Sequence, residues 1–177
     1  MLPGMVTSEG DLVAELIERE LALDPEESSD HRALERALLK VLPKLEGAFS
    51  FVVMDEGHVI GVRDPNGFWP LCLGKLDHGW ALASESPALD IVGAHQIREV
   101  APGEMVVIDA TGVRSVDPFP TGDIDPKLCL MEFVYFHRPG GRLYGHSVHG
   151  ARVRMGEQLA AQAPVEADLV MGVPESG

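Results

Sequence analysis

Basic residues are scarce. Lys and Arg number 14 against 28 Asp and Glu, a formal net charge of −14. That balance argues against nucleic acid and anionic membrane as partners. An anionic substrate would need local cations or backbone N–H donors to overcome the field. Cysteine is nearly missing as well. Cys72 and Cys129 both sit in apolar runs, which points to reduced thiols and a cytoplasmic address. No apolar run reaches transmembrane length, and MetLeuProGlyMet lacks the basic start and apolar core of a signal peptide. Nor is any long stretch of disordered composition present. With 45% hydrophobic and 24% charged residues, the 177-residue chain is globular, enough for one domain or one and a fraction.

What is present reads in two parts. Ser8 with Asp11 fits a helix-capping arrangement ahead of Leu12, Val13, Leu16, Ile17 and Leu21 on one helical stripe. Residues 24–30 form an acidic linker. Asp30 can cap a second helix through Lys40, with Ala33, Leu34, Ala37, Leu38 and Val41 inward. After Gly47 the period shortens to that of strands. Residues 48–55 and 58–63 predict one hairpin, and 70–75 with 79–84 the next. A short helical piece from Ser84 ends near Val92. Residues 105–109 and 113–119 make a final hairpin, and 121–126 resembles a linker. Helices followed by antiparallel strands indicate an α+β layer arrangement.

The remainder predicts a parallel α/β unit. Residues 128–136 are an almost unbroken apolar and aromatic run, expected as a strand buried on both faces. A polar crossover to His149 follows. Val153, Gly156, Leu159 and Ala160 then mark a helix over 151–163, and Pro164 ends it. Residues 168–173 predict a second strand running into Pro174, Glu175, Ser176 and Gly177. Such a strand-to-loop corner is where parallel sheets bind phosphate. His137, His146 and His149 are spaced poorly for a metal site and are expected as solvated loop residues. Phe68–Trp69 is expected as a buried corner rather than a base-stacking platform, given the acidic chain.

Several words in this order resemble a family. GlyAlaPheSerPheVal (47–52), ValArgAspProAsnGly (62–67), AlaSerGluSerProAlaLeuAsp (83–90) and ArgGluValAlaProGlyGlu (98–104) are similar to consecutive blocks of the amidophosphoribosyltransferases. So are MetGluPheValTyrPheHisArgPro (131–139), SerValHisGlyAlaArg (147–152) and GlyValProGluSerGly (172–177). The resemblance runs in register from about Thr7 to Gly177.

It implies an enzyme of two parts. An N-terminal-nucleophile (class II) glutaminase with an αββα sandwich releases ammonia from glutamine. A type I phosphoribosyltransferase α/β domain adds it to phosphoribosyl pyrophosphate, giving 5-phosphoribosylamine in the first step of de novo purine synthesis. On this basis residues 1–120 correspond to the second half of the glutaminase, 121–127 to a linker and 128–177 to the first βαβ of the transferase. The parent is expected to be a homo-oligomer. The family's nucleophile is an N-terminal cysteine, and Met1-Leu2 offers none, so no catalytic residue is assigned and the chain alone is expected to be inactive. A catalytically empty remnant serving as a binding or regulatory module is the alternative. Uncovered strand edges and an uncovered sheet face would make the isolated chain aggregate or oligomerise.

Site residues carry over one at a time. Glu9 matches an acid that contacts the glutamine amine, although the family usually has Asp there. Glu175 and Ser176 match the acid and hydroxyl of the pyrophosphate loop, with Ser176 reaching pyrophosphate or its magnesium. Cys129 matches a cysteine ligand of the [4Fe–4S] cluster found in one branch, which needs four thiolates where this chain has two cysteines. Trp69 stands where the family usually has Arg, losing a fixed set of donors. Tyr144 stands where Asp is usual.

Overall fold

The computed structural model describes residues 8–23 and 32–173. They divide into two compact units, Met1–Cys129 and Leu130–Gly177. In the first, helix α1 (Glu9–Leu23) and helix α2 (Ala33–Val41) precede seven strands. These are β1 (Ser50–Met54), β2 (Val59–Arg63), β3 (Cys72–Leu76), β4 (Gly79–Ala83), β5 (His95–Glu99), β6 (Met105–Asp109) and β7 (Gly112–Val116). A short helix, α3 (Ser86–Ile91), lies between β4 and β5. The strands form a sheet of order β1-β2-β6-β7 and a second of order β4-β3-β5. All three predicted hairpins are present, and every strand pair among the described residues is antiparallel.

Strand alternation builds the layers. Ile60, Val62, Met105 and Val107 turn one face of the four-stranded sheet toward α1 and α2, where Ile17, Leu34, Leu38, Val41 and Leu42 complete a core. Val106 faces the other way and joins Leu71, Leu73 and Val100 between the sheets. Gly61 shares that face, and a Cβ there would lie 2.7 Å from a Leu82 methyl, so the sheets meet closely only because the residue is glycine. Outside the second sheet, Leu89 of α3 packs on Cys72 and Ala94. The first unit is therefore helix on sheet on sheet on helix. Residues 121–127, expected as a linker, are tied down: Asn66 Nδ2 donates to the Asp125 carbonyl at 2.9 Å and Lys127 N–H to the Asn66 carbonyl at 2.8 Å. The expected Asp30 cap falls outside the described residues, and Arg32 takes the N-cap position of α2 without a side-chain bond.

The second unit corrects the expected βαβ. Residues 128–136 are not a strand. The chain turns helical at Leu130 and forms a π-helical turn over Glu132–Phe136. An apolar run this short does not tell a strand from a helical segment, and here Phe133 is buried while Val134, Tyr135 and Phe136 are exposed. A two-residue hairpin, β8 (Arg142–Leu143) and β9 (His146–Ser147), leads into helix α4 (Val148–Gln162). Ser147 caps α4 by accepting the Gly150 N–H at 3.1 Å. Residues 168–173 form no strand among the described residues, and all are exposed. The stripe Val153–Leu159 exists on α4, yet it too is exposed; Val148 alone is buried there.

Candidate functional site

Helix α1 begins with a reciprocal cap. Asp11 N–H donates to Ser8 Oγ at 3.1 Å, and Ser8 N–H donates to Asp11 Oδ2 at 3.0 Å. This satisfies two otherwise orphaned donors and sets the first turn, on which Glu9 stands exposed. Glu9 lines a groove of about 840 Å³ between α1 and β1, together with Leu12, Val13, Glu46, Phe51 and Trp69. The structure thus brings together the two positions that depart from the resembled pattern on this side of the chain. Trp69 is 45% exposed, so the expected buried corner is not formed. Its backbone carbonyl, by contrast, is held by Arg63.

Arg63 and Asp64 form a deeply buried polar knot in the first unit. Arg63 is 1% exposed and donates to three backbone carbonyls: Trp69 at 2.9 Å from Nε, Val100 at 2.7 Å from Nη1 and Gly67 at 2.7 Å from Nη2. Asp64, fully buried, accepts the N–H groups of Asn66 and Gly67 at 2.9 Å and of Phe68 at 3.2 Å. Gly67 takes φ 66°, and a Cβ there would meet Pro102 at 2.6 Å. The turn that delivers Trp69 to the groove is therefore fixed by a charge on either side. A second knot links the sheets: the guanidinium of Arg98 binds Glu104 through both oxygens at 2.7 and 2.6 Å, and the Ala101 N–H reaches the same carboxylate at 2.8 Å. Burial opposes the Glu104 charge, yet Arg98, Ser115 and Ala101 prevail and hold its pKa below the usual value.

Neither cysteine is set up as a nucleophile. Cys72 is 1% exposed in β3, and burial pushes its thiol up to about 11. Cys129 is half-buried and is not in a strand. Among the described residues no group of three or more His, Cys, Asp or Glu side chains converges as a metal site. His146 and His149 are exposed, but His137 is buried, with Nδ1 3.4 Å from Glu132 Oε2, correcting the expectation of a solvated loop residue. Tyr144 is the only non-glycine of positive φ among the described residues. Glu175 and Ser176 lie outside them.

The sequence pattern of the glutamine amidotransferase domain matches residues 1–91, just over half of the chain. The chain belongs to the glutamine amidotransferase family. Its similarity to enzymes named amidophosphoribosyltransferase bears out the resemblance read from the sequence blocks. The Mycobacterium leprae protein of that name is 46% identical over 175 residues, 99% of this chain and 30% of the relative. The Bacillus subtilis one is 39% identical over 96% of this chain and 33% of its own length. The chain thus spans about a third of the curated relatives it matches. A solved B. subtilis glutamine phosphoribosylpyrophosphate amidotransferase, complexed with ADP and GMP, superposes with a TM-score of 0.83 at 39% identity, over 96% of this chain and 35% of that one. A structure described as the allosteric regulatory enzyme of purine biosynthesis gives 0.85 at 38%, over 98% and 35%. The family's α+β character agrees with the mixed helix and sheet seen here.

Proposed function

We propose that these residues serve an amidophosphoribosyltransferase, moving glutamine-derived ammonia to phosphoribosyl pyrophosphate to give 5-phosphoribosylamine. The observation that carries the reading is near-complete coverage of this chain by enzymes of that name at 39–46% identity. In this reading the first unit is part of a class II glutaminase and the residues from 128 onward begin the phosphoribosyl domain. Glu9 faces the glutamine amine, and Glu175 with Ser176 meets pyrophosphate and its magnesium. Cys129 would supply one thiolate of a [4Fe–4S] cluster. Cys72, buried under α3, cannot be another, so three would come from beyond these residues. A cytoplasmic, homo-oligomeric parent belongs to the same proposal.

The residues here perform neither half-reaction by themselves. The thiol of Cys72 is inaccessible and protonated at neutral pH, and Glu9 shares its groove with an indole rather than a guanidinium. The purified chain given glutamine or ammonia with phosphoribosyl pyrophosphate should make no phosphoribosylamine, and turnover would refute this statement. The family reading has a separate test. A chimera carrying these residues in the B. subtilis enzyme should retain ammonia-dependent synthesis and lose part of the glutamine-dependent rate. A folded chimera dead with ammonia would overturn it.

A further inference from the structure

Asn66 is bonded in two directions at once. Its N–H donates to Asp64 Oδ1 at 2.9 Å, the oxygen that also takes the Gly67 N–H, while Asp64 Oδ2 takes that of Phe68. These bonds set the course of the chain into Trp69, which lines the same groove as Glu9. The carbonyl and the side-chain amide of Asn66 are spent the other way. The carbonyl accepts the Lys127 N–H at 2.8 Å, and Nδ2 donates to the Asp125 carbonyl at 2.9 Å. The Asp125 N–H adds a bond to the Pro65 carbonyl at 3.2 Å.

Residues 124–127 suit this seat. Asp125 and Lys127 both turn their N–H to the Asp64–Gly67 turn, and Pro126 between them has no N–H to satisfy. Pro126 also disfavours the helical region at Asp125, so less conformational freedom is lost on docking. Ile124 packs against the core shared with α1 and α2, and a Cβ on Gly103 would lie 2.9 Å from it. The Gly103 N–H in turn donates to the Asp64 carbonyl at 2.9 Å. Beyond Cys129 the chain enters the second unit at Leu130.

We propose that Asn66 is a positioning residue through which residues 124–127, the chain leading to the second unit, set the stance of Trp69 beside Glu9. This rests on reading that groove as the glutamine side of the enzyme: connector and groove then order together, and a shift of the connector changes the hold on glutamine. The side-chain amide is what makes the link. Asn66→Asp keeps the shape and the N–H bond to Asp64, but turns the Nδ2 donor into a carboxylate oxygen facing the Asp125 carbonyl.

The coupling is measured on the purified chain without substrate, so that it stands or falls apart from the glutamine reading. 5-Fluorotryptophan labels Trp69 and Trp80, and a Trp80→Phe background leaves Trp69 as the single fluorine NMR signal. Lys127→Pro deletes the donor to the Asn66 carbonyl. Both it and Asn66→Asp should shift or broaden the Trp69 signal and speed hydrogen exchange at the Phe68 N–H about tenfold, while Val106 in β6 keeps its rate. Lys127→Ala keeps that N–H, removes only the side-chain contact with Asp125, and should leave the signal in place. A signal unmoved by Lys127→Pro and Asn66→Asp, or moved as far by Lys127→Ala, would overturn the proposal. So would equal acceleration at Val106, the mark of a general loss of stability. In the B. subtilis chimera, Asn66→Asp should raise the glutamine KM about fivefold and move kcat less than about twofold. An unchanged KM would overturn the link to glutamine, whereas a chimera with no glutamine-dependent rate before the substitution would count against the glutamine reading itself.

Discussion

Replacing Arg63 should cost more than any other single change to a charged residue in the first unit. Its guanidinium ends β2, yet its acceptors are the carbonyls of Gly67 and Trp69, which lead into β3, and of Val100, which follows β5. One side chain therefore fastens the two sheets. Arg63→Met keeps most of the apolar stem and removes all three donors. At about 1.5 kcal/mol for each hydrogen bond from a charged donor, the loss is about 4–5 kcal/mol. The cost of breaking one member of a buried charge arrangement, about 3–5 kcal/mol, agrees; here the abandoned neighbours are Asp64 and Glu99, the latter 4.0 Å away. Arg63→Lys keeps the charge but reaches fewer acceptors and should fall roughly halfway. With a urea slope of about 2 kcal/mol/M, the methionine variant should unfold about 2 M earlier. Arg19→Met, which breaks the exposed 3.0 Å pair with Glu15, is the control and should barely move the midpoint. A methionine variant within about 1 kcal/mol of the parent would refute the claim that these three bonds join the sheets.

Thiol titration of the native chain should modify Cys129 well before Cys72, whose reaction should wait for denaturant; equal rates would contradict the burial of Cys72. Glu104 has its folded pKa depressed, so its contribution is present above the unfolded carboxylate value of about 4.3 and is lost as pH falls through the lower folded value. Glu104→Gln should therefore flatten the acid limb of a urea-midpoint profile, and an unchanged limb would count against the Arg98–Glu104 knot. Tyr144 and Gly145 both take positive φ, 49° and 75°, in the two-residue turn between β8 and β9, a geometry that favours Asn-Gly or Asp-Gly. Tyr144→Asn should relieve about 1 kcal/mol of backbone strain, read as slower hydrogen exchange over 142–147; faster exchange would exclude it.

Much of the first unit was legible because its signals are local. Ser8 and Asp11 announce their cap within one turn, and Phe49, Phe51 and Val53 announce which face of β1 meets the helices. Strand β5 gave no such signal. HisGlnIleArgGlu carries one aliphatic residue, Ile97, and that residue is 55% exposed; the strand exists by backbone pairing to β3 across a bulge. The role of Arg63 was hidden for a related reason. Its partners are backbone carbonyls, only that of Val100 distant in sequence, and no side-chain pattern marks a carbonyl as an acceptor. Glu9 and Trp69 were each singled out by resemblance, but their meeting in one groove follows from how α1 crosses β1 and from the turn that Asp64 fixes.

The second unit shows where that reasoning runs out. A strand buried on both faces and one apolar flank of a helix are the same string of letters until something covers them. Over 128–136 the described structure lacks the parallel neighbours that would reward extension, so local hydrogen bonding decides the conformation and a π-helical turn results. The contacts that do order this segment are polar and specific. Arg152 Nε donates to the Phe133 carbonyl and its Nη2 to the His137 carbonyl, both at 2.7 Å, and thereby takes up carbonyls at the end of the turn. That arrangement needs Arg152 one turn into α4, which Ser147 sets by capping the helix before the predicted start at residue 151. The apolar side chains of 128–136 and 168–173 thus predict burial correctly only for Phe133; for the others hydrophobicity records an affinity for a surface, without saying which backbone shape presents it.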